Sequence, residues 1–290
     1  MQTKAYISHL AMILFGISTS AGMMLIHVKV QSTPPMVLAF YTFVFFILFF
    51  LAFSLHGLTK KRHHLKKAFP TIFNLNWTSL VCWSATTIAL LYLPTSLFLL
   101  LYLSSMMIAG LFIGKKLNRF DIACMAIVIT GCILAMTDQH ADLRQWLMAV
   151  FAAIGGVTGA IYSRYSKTLV NEFSTFEILA LRFLLLVLIT GIIAFYSGGI
   201  KFESPSFYST FILISLLTIC LPLYLFQVGL KYISVYAALA YMPLAPCICL
   251  VTETLFMSNT SIHGLSLLAV FFVAATMLAI CLKQSQAARA

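Results

Sequence analysis

Carboxylates are scarce in this sequence. Asp121, Asp138, Asp142, Glu172, Glu177, Glu203 and Glu253 are the only seven acidic residues in 290. Charged residues of both signs make up 9% of the chain, against about 25% in soluble domains. That leaves too little polar surface to cover a water-soluble globule. No spanning segment holds an Asp/Glu pair near its middle, which argues against strong cation coupling. No HExxH or similar cluster occurs, which argues against a zinc-dependent hydrolase.

Cysteine is not organised into anything either. Cys82, Cys124, Cys132, Cys220, Cys247, Cys249 and Cys281 are odd in number and lie inside apolar runs. Cys247 and Cys249 are two apart, so on a helix they face different ways. Neither a disulfide framework nor a zinc site follows, and no metal or cofactor is expected. Such cysteines behave as small apolar packing residues.

What is abundant is hydrophobicity: 62% of residues, with a mean hydropathy of +1.02. A spanning helix needs about 20 mainly apolar residues. Ten candidates emerge: 6–27, 35–55, 71–91, 94–114, 120–137, 145–165, 174–196, 207–229, 234–257 and 263–282. Their connections are too short to hold a soluble domain. The first run is longer than a signal-peptide core and no convincing A-x-A site follows, so it reads as a retained helix. The expected fold is all-α, an integral membrane protein of ten transmembrane helices.

Ten spans place both termini on one side. With that side cytoplasmic, the inner segments hold Lys4, Lys60, Lys61, Arg62, Lys66, Lys67, Lys115, Lys116, Arg119, Arg164, Lys167, Lys231, Lys283 and Arg289. The outer segments hold Lys29, Arg144 and Lys201, and Arg182 lies within a span. The positive-inside rule then expects cytoplasmic N- and C-termini in a cytoplasmic (inner) membrane. The cluster "HGLTKKRHHLKKAF" at 56–69 reads as an inner loop held at anionic headgroups. It offers no folded module for nucleic acid.

The chain also repeats itself. "LAMILFGISTSAG" at 10–22 parallels "LMAVFAAIGGVTG" at 147–159, "MVLAFY" at 36–41 parallels "EILALR" at 177–182, and "ALLYL" at 89–93 parallels "GLKYI" at 229–233. The offsets are 137, 141 and 140. Five helices followed by five related ones must insert in opposite senses, the inverted repeat of secondary transporters. Gly155 and Gly159 form a GxxxG matched by Ser18 and Gly22, a pattern that lets helices approach closely.

"STFEILALRFLLL" at 174–186 and "YISVYAALAYMPLAP" at 232–246, with Gly264 opening the last helix, resemble the EamA-type ten-helix branch of the drug/metabolite transporter superfamily. The resemblance spans two units, 5–137 and 146–282. In the first unit Tyr41 stands at the place of the single Arg, and Lys115 at the place of an acidic residue; Glu253 falls two residues early. The resemblance implies a transporter with a central cavity for small metabolites or drugs, working by alternating access and commonly outward. Uptake or exchange by the same fold is the alternative. A lipid-modifying membrane enzyme or a non-transporting membrane protein is a distant rival, and no enzyme activity is expected. The expected partners are a small-molecule substrate and the lipid bilayer.

A charge inside a span costs roughly 2.5–3.5 kcal/mol at a helix centre, so Arg182 and Glu253 require explanation. Their expected depths differ by ~16 Å at 1.5 Å rise per residue, too far to pair. Arg182 can attract an anionic group from a cavity, or snorkel inward and tie helices together. Glu253 can couple protons, gate an outer mouth, or make a structural contact. Tyr41, Trp83, Tyr102, Gln227 and Tyr241 are further cavity candidates, since aromatics combine apolar area with a polar handle. Pro243 and Pro246 remove two backbone donors in one predicted helix and Pro222 one in another, making hinges or static kinks. His27, His140 and His263 fall near outer ends, as interfacial residues rather than metal ligands.

Overall fold

A computed structural model describes residues 2–30, 33–114, 118–198, 205–233, 235–239, 241–242 and 244–256, with 271, 273 and 275. The described residues are helical throughout and contain no strand. In order they form α1 (Gln2–Val30), α2 (Pro35–Lys60), α3 (Arg62–Ala89), α4 (Thr95–Gly114), α5 (Arg119–Asp138) and α6 (Leu143–Leu169). Then come α7 (Thr175–Leu181), α8 (Leu184–Tyr196), α9 (Pro205–Ser215), a π-helical turn (Leu216–Cys220), α10 (Leu221–Tyr232), α11 (Val235–Leu239) and α12 (Leu244–Phe256). Among the described residues, seven segments are long and apolar enough to cross a membrane, counting 175–196 and 207–232 as one each. The chain is a multi-pass membrane protein. Apart from residues 271, 273 and 275, the predicted span 263–282, with Gly264, His263 and Cys281, lies outside the described residues.

Local chemistry sets where the helices start. Asn118 with Asp121, Asp142 with Gln145, and Ser174 with Glu177 form reciprocal capping boxes at the heads of α5, α6 and α7. In each, the side chains satisfy backbone N–H groups that a first helical turn leaves without partners.

The 56–69 cluster is not a loop. α2 runs to Lys60 and α3 begins at Arg62, with Lys61 alone between them. Lys, Arg and Leu are good helix formers, and Lys61 is the single non-helical residue between the two helices. The basic cluster is therefore carried on two helix ends.

Three predicted spans are irregular. The span 174–196 breaks at Arg182 and Phe183. The span 207–229 stays helical but widens into the π-helical turn immediately before Pro222, where the proline has no N–H to continue the ladder. The span 234–257 divides into α11 and α12, and Pro246 is the third residue of α12. A first-turn N–H has no intrahelical partner, so Pro246 does not remove a mid-helix donor as expected. Pro243 lies outside the described residues.

The packing is reciprocal. α6 lies against α3 and α4, while α1 lies against α10, the π-helical turn and α12. α2 packs along α7 and α8. The close approaches need small residues. A Cβ on Gly156 would stand 2.1 Å from the Tyr102 carbonyl oxygen and 2.8 Å from the Met106 nitrogen. A Cβ on Gly22 would stand 2.8 Å from the Thr218 Cα. Backbone meets backbone at both contacts.

Two side-chain hydrogen bonds repeat the reciprocity. Asn76 Nδ2 on α3 donates to the Leu181 carbonyl at 2.6 Å. Ser215 Oγ, at the end of α9, donates to the Thr42 carbonyl of α2 at 2.7 Å. Donors 76 and 215, and acceptors 42 and 181, are each 139 positions apart.

Candidate functional site

The break in the 174–196 span has a definite cause. In an unbroken helix the Leu185 N–H would reach back four residues to the Leu181 carbonyl. Instead it donates to Asn76 Oδ1 at 3.1 Å, while Asn76 Nδ2 donates to the Leu181 carbonyl. One amide side chain has been inserted into one rung of the helix. Asn carries both a donor and an acceptor, so neither backbone group is orphaned. Ser215 reaches the equivalent carbonyl at Thr42 with a hydroxyl, and α2 stays continuous there.

The break carries Arg182, which is 0% exposed and the largest fully buried side chain. Its side chain is enclosed by the surrounding helices. Its guanidinium carbon lies 3.8 Å from the centre of the Tyr162 ring and 5.4 Å from that of Phe183. Its Nε, Nη1 and Nη2 have no hydrogen-bond partner among the described residues. The ionisable groups that act on it are Tyr162, Cys82 and Tyr102. The Tyr102 hydroxyl is 3.5 Å from Cys82 Sγ, and its ring stacks on Phe98 at 5.5 Å.

α3 meets Arg182 through Cys82. Ser79, Cys82, Trp83 and Thr86 recur at the three- and four-residue spacing that puts side chains on one side of a helix. All four are buried, Thr86 lies beside Cys82, and Ser79 Oγ and Trp83 Nε1 have no partner among the described residues. Trp83 packs edge-on against Phe43 at 5.0 Å and Phe183 at 6.2 Å. Gly155 and Gly159 of α6 let their neighbours pack tightly: a Cβ on Gly155 would be 3.2 Å from Thr86 Oγ1, and one on Gly159 would be 3.1 Å from the Tyr102 hydroxyl.

Of the residues singled out in the sequence, Arg182, Trp83 and Tyr102 come together here. The others have partners of their own. Tyr41 packs against Phe207, Tyr208 and Phe211 of α9. Gln227 accepts from Ser166 Oγ at 2.6 Å, the Tyr241 hydroxyl meets His9 Nδ1 at 2.7 Å, and Glu253 Oε1 accepts from the Ser96 N–H at 3.2 Å. Tyr162 and Asn76 were not anticipated. An Asn in the middle of an apolar helix was the available signal, since a polar side chain in lipid must find a partner.

Polar contacts bind the two ends of the bundle. At the α2–α3 junction, Lys61 Nζ meets Glu177 Oε2 at 2.8 Å and the Glu172 carbonyl at 3.0 Å. His64 Nδ1 is 3.7 Å from Glu172 Oε2. Lys167 donates to the carbonyls of Leu230, Lys231 and Ile233, where α10 ends. At the other end, where α3 gives way to α4, Glu253 holds the head of α4. There too Arg144 Nη2 reaches the Tyr92 hydroxyl at 2.5 Å, and His27 Nδ1 lies 3.0 Å from the Leu90 carbonyl. Arg182 thus lies on a chain segment running between a cationic end and a nearly neutral one. Among the described residues, no group of three or more His, Cys, Asp or Glu side chains could hold a metal ion.

Comparison with known proteins adds a family match over part of the chain and a fold. Residues 146–282 match the model of the EamA-like transporter family. A crystal structure of another protein superposes over 99% of this chain and 99% of its own, with a TM-score of 0.68 and 16% sequence identity. At that identity the likeness speaks for the fold alone. No curated protein matches the sequence.

Proposed function

We propose that this protein, whose residues 146–282 are an EamA-like transporter unit, is a secondary transporter of a small organic metabolite or drug. In this reading it has ten transmembrane helices arranged as two inverted five-helix repeats, 5–137 and 146–282, and transports by alternating access. The reciprocal contacts support the duplication. The first helix of each repeat packs on the third and fourth of the other, and the 76–181 and 215–42 hydrogen bonds exchange across the repeats at one offset.

The observation that carries the transport reading is a buried, unpartnered polar site flanked by ties at both ends. Lys61 to Glu177 joins the first repeat to the second at one end; Ser96 to Glu253 does so at the other. Lys61 to the Glu172 carbonyl and Arg144 to Tyr92 add to these ties, and each is a polar contact of modest strength. Opening one while the other stays closed would expose the Arg182 region to one side at a time. The basic end faces the cytoplasm in this reading, by the positive-inside rule, so both termini lie inside the inner membrane.

Export is the expected direction. The test is untargeted mass spectrometry of inner and outer solute pools in cells lacking, restored for, or overproducing the protein. One solute class accumulating outside on overproduction and inside on deletion establishes export. A solute appearing inside only when the protein is present reverses the direction. No solute redistributing under any condition refutes transport.

A further inference from the structure

We infer that the Arg182 site binds the carboxylate of a small organic monoacid. This inference rests on the transporter reading above and adds the substrate class.

The first argument is charge. A guanidinium remains ionised at any physiological pH. Burying an ion without a counterion is strongly unfavourable. Arg182 is 0% exposed, and the ionisable groups acting on it are two phenols and a thiol, none of them a carboxylate. The Tyr162 ring at 3.8 Å provides a cation–π contact, which is far weaker than the cost of burying an unpaired ion. Arg182 closes α7 and lies two residues before α8. The two facing helix ends have dipoles of opposite effect on it, so its charge is left standing.

The second argument is hydrogen bonding. Buried polar atoms are nearly always paired, yet all three guanidinium nitrogens are unpaired. So are Ser79 Oγ and Trp83 Nε1 of α3. Five N–H groups of the guanidinium form a planar fork suited to a bidentate carboxylate. The indole N–H and the Ser79 hydroxyl can serve oxygens elsewhere on the solute, and the Trp83–Phe183 rings its apolar part.

The third argument selects a monoanion. A phosphate or dicarboxylate brings close to two negative charges. Arg182 brings one positive charge, and among the described residues no Lys or second Arg acts on it. The dianion would leave one buried charge unmatched, whereas a monocarboxylate closes the balance.

The test uses the full-length purified protein in detergent. Melting is followed with a panel of monocarboxylates (acetate, lactate, benzoate, phenylpyruvate, octanoate), each beside its neutral amide and beside inorganic phosphate. At ~10 mM, at least one acid raises the melting temperature by a few degrees while its amide and phosphate do not. Arg182→Gln abolishes the shift, and Arg182→Lys, which keeps the charge without the fork, retains part of it. If Arg182→Gln does not fold, the acid-against-amide comparison on the wild type and Arg182→Lys decides alone. An amide stabilising as well as its acid, a shift surviving in Arg182→Gln, preferential stabilisation by phosphate, or no shift from any acid overturns the inference. The same acids are then loaded into proteoliposomes. Binding without flux refutes transport and keeps the site; flux of neutral or cationic solutes alone keeps transport and refutes the site.

Discussion

Asn76 and Leu181 stand 105 positions apart in sequence and share a 2.6 Å hydrogen bond, with Leu185 completing the other half of the same splint at 3.1 Å. Through that relationship a residue of α3 determines where the α7–α8 helix is interrupted, and so where Arg182 is placed. Asn76→Ala removes both bonds and leaves a cavity. The expected cost is about 1–3 kcal/mol if the two backbone groups stay apart, and less if they rejoin as a continuous helix. Either way Arg182 is displaced. Melting temperature measures the first effect and solute flux the second; wild-type flux in Asn76→Ala would show that the interruption is dispensable.

Lys61 and Glu177 tie the two halves at the basic end through a partly exposed pair. Such pairs are worth about 0–1 kcal/mol, so their loss shifts an opening equilibrium without unfolding the protein. Glu177→Gln weakens the tie but keeps an acceptor for the Ser174 N–H. Amide exchange around Leu58–Leu65 should accelerate by up to about fivefold, which is the equivalent of 1 kcal/mol. The double exchange Lys61→Glu with Glu177→Lys should recover part of the protection. Unchanged exchange in both single variants would remove this contact from the opening step.

Glu253 is held by the Ser96 N–H at the first turn of α4, where a carboxylate is favoured by the unpaired donors and the helix dipole. Glu253→Gln keeps an oxygen acceptor and should cost less than about 1 kcal/mol, whereas Glu253→Ala should cost about 1–2 kcal/mol. Flux in Glu253→Gln should keep its wild-type pH dependence. Loss of pH-driven uptake with exchange preserved would make Glu253 a proton carrier instead.

Gly156 touches the backbone of α4 more closely than Gly155 or Gly159 does. Gly156→Ala forces α6 and α4 apart at a point where neither has a side chain to yield. The expected destabilisation is about 3 kcal/mol or more, read as a lowered melting temperature or failure to accumulate in the membrane. Gly198→Ala meets no atom within 4 Å, but its φ of +68° disfavours a side chain, so a cost of only about 1 kcal/mol is expected there.

Much of the α-helical order was legible because lipid imposes a simple rule: the chain must run apolar for about 20 residues and satisfy its backbone internally. Composition and run length located α1, α2, α4, α5 and α6 within a few residues. They missed the head of α3, because a basic segment that is helical looks like a loop to a hydropathy reading. They also missed the interruptions. Hydropathy carries no mark of a rung opened by a distant amide, and Pro246 looked disruptive only until the true start of α12 placed it in a first turn.

The same division runs through the site. The sequence by itself determined that the chain belongs in a membrane, that one buried cation must be accounted for, and that the two halves share a pattern. Those follow from local chemistry: which side chains can leave water, and at what spacing they recur. Tertiary structure alone decided that Arg182 rests on Tyr162 without a carboxylate, that Asn76 opens the helix carrying it, and that Glu253 caps α4 instead of pairing with it. Each of those is a meeting of residues far apart in the chain. No local preference encodes such a meeting, because its energy exists only once the helices have packed.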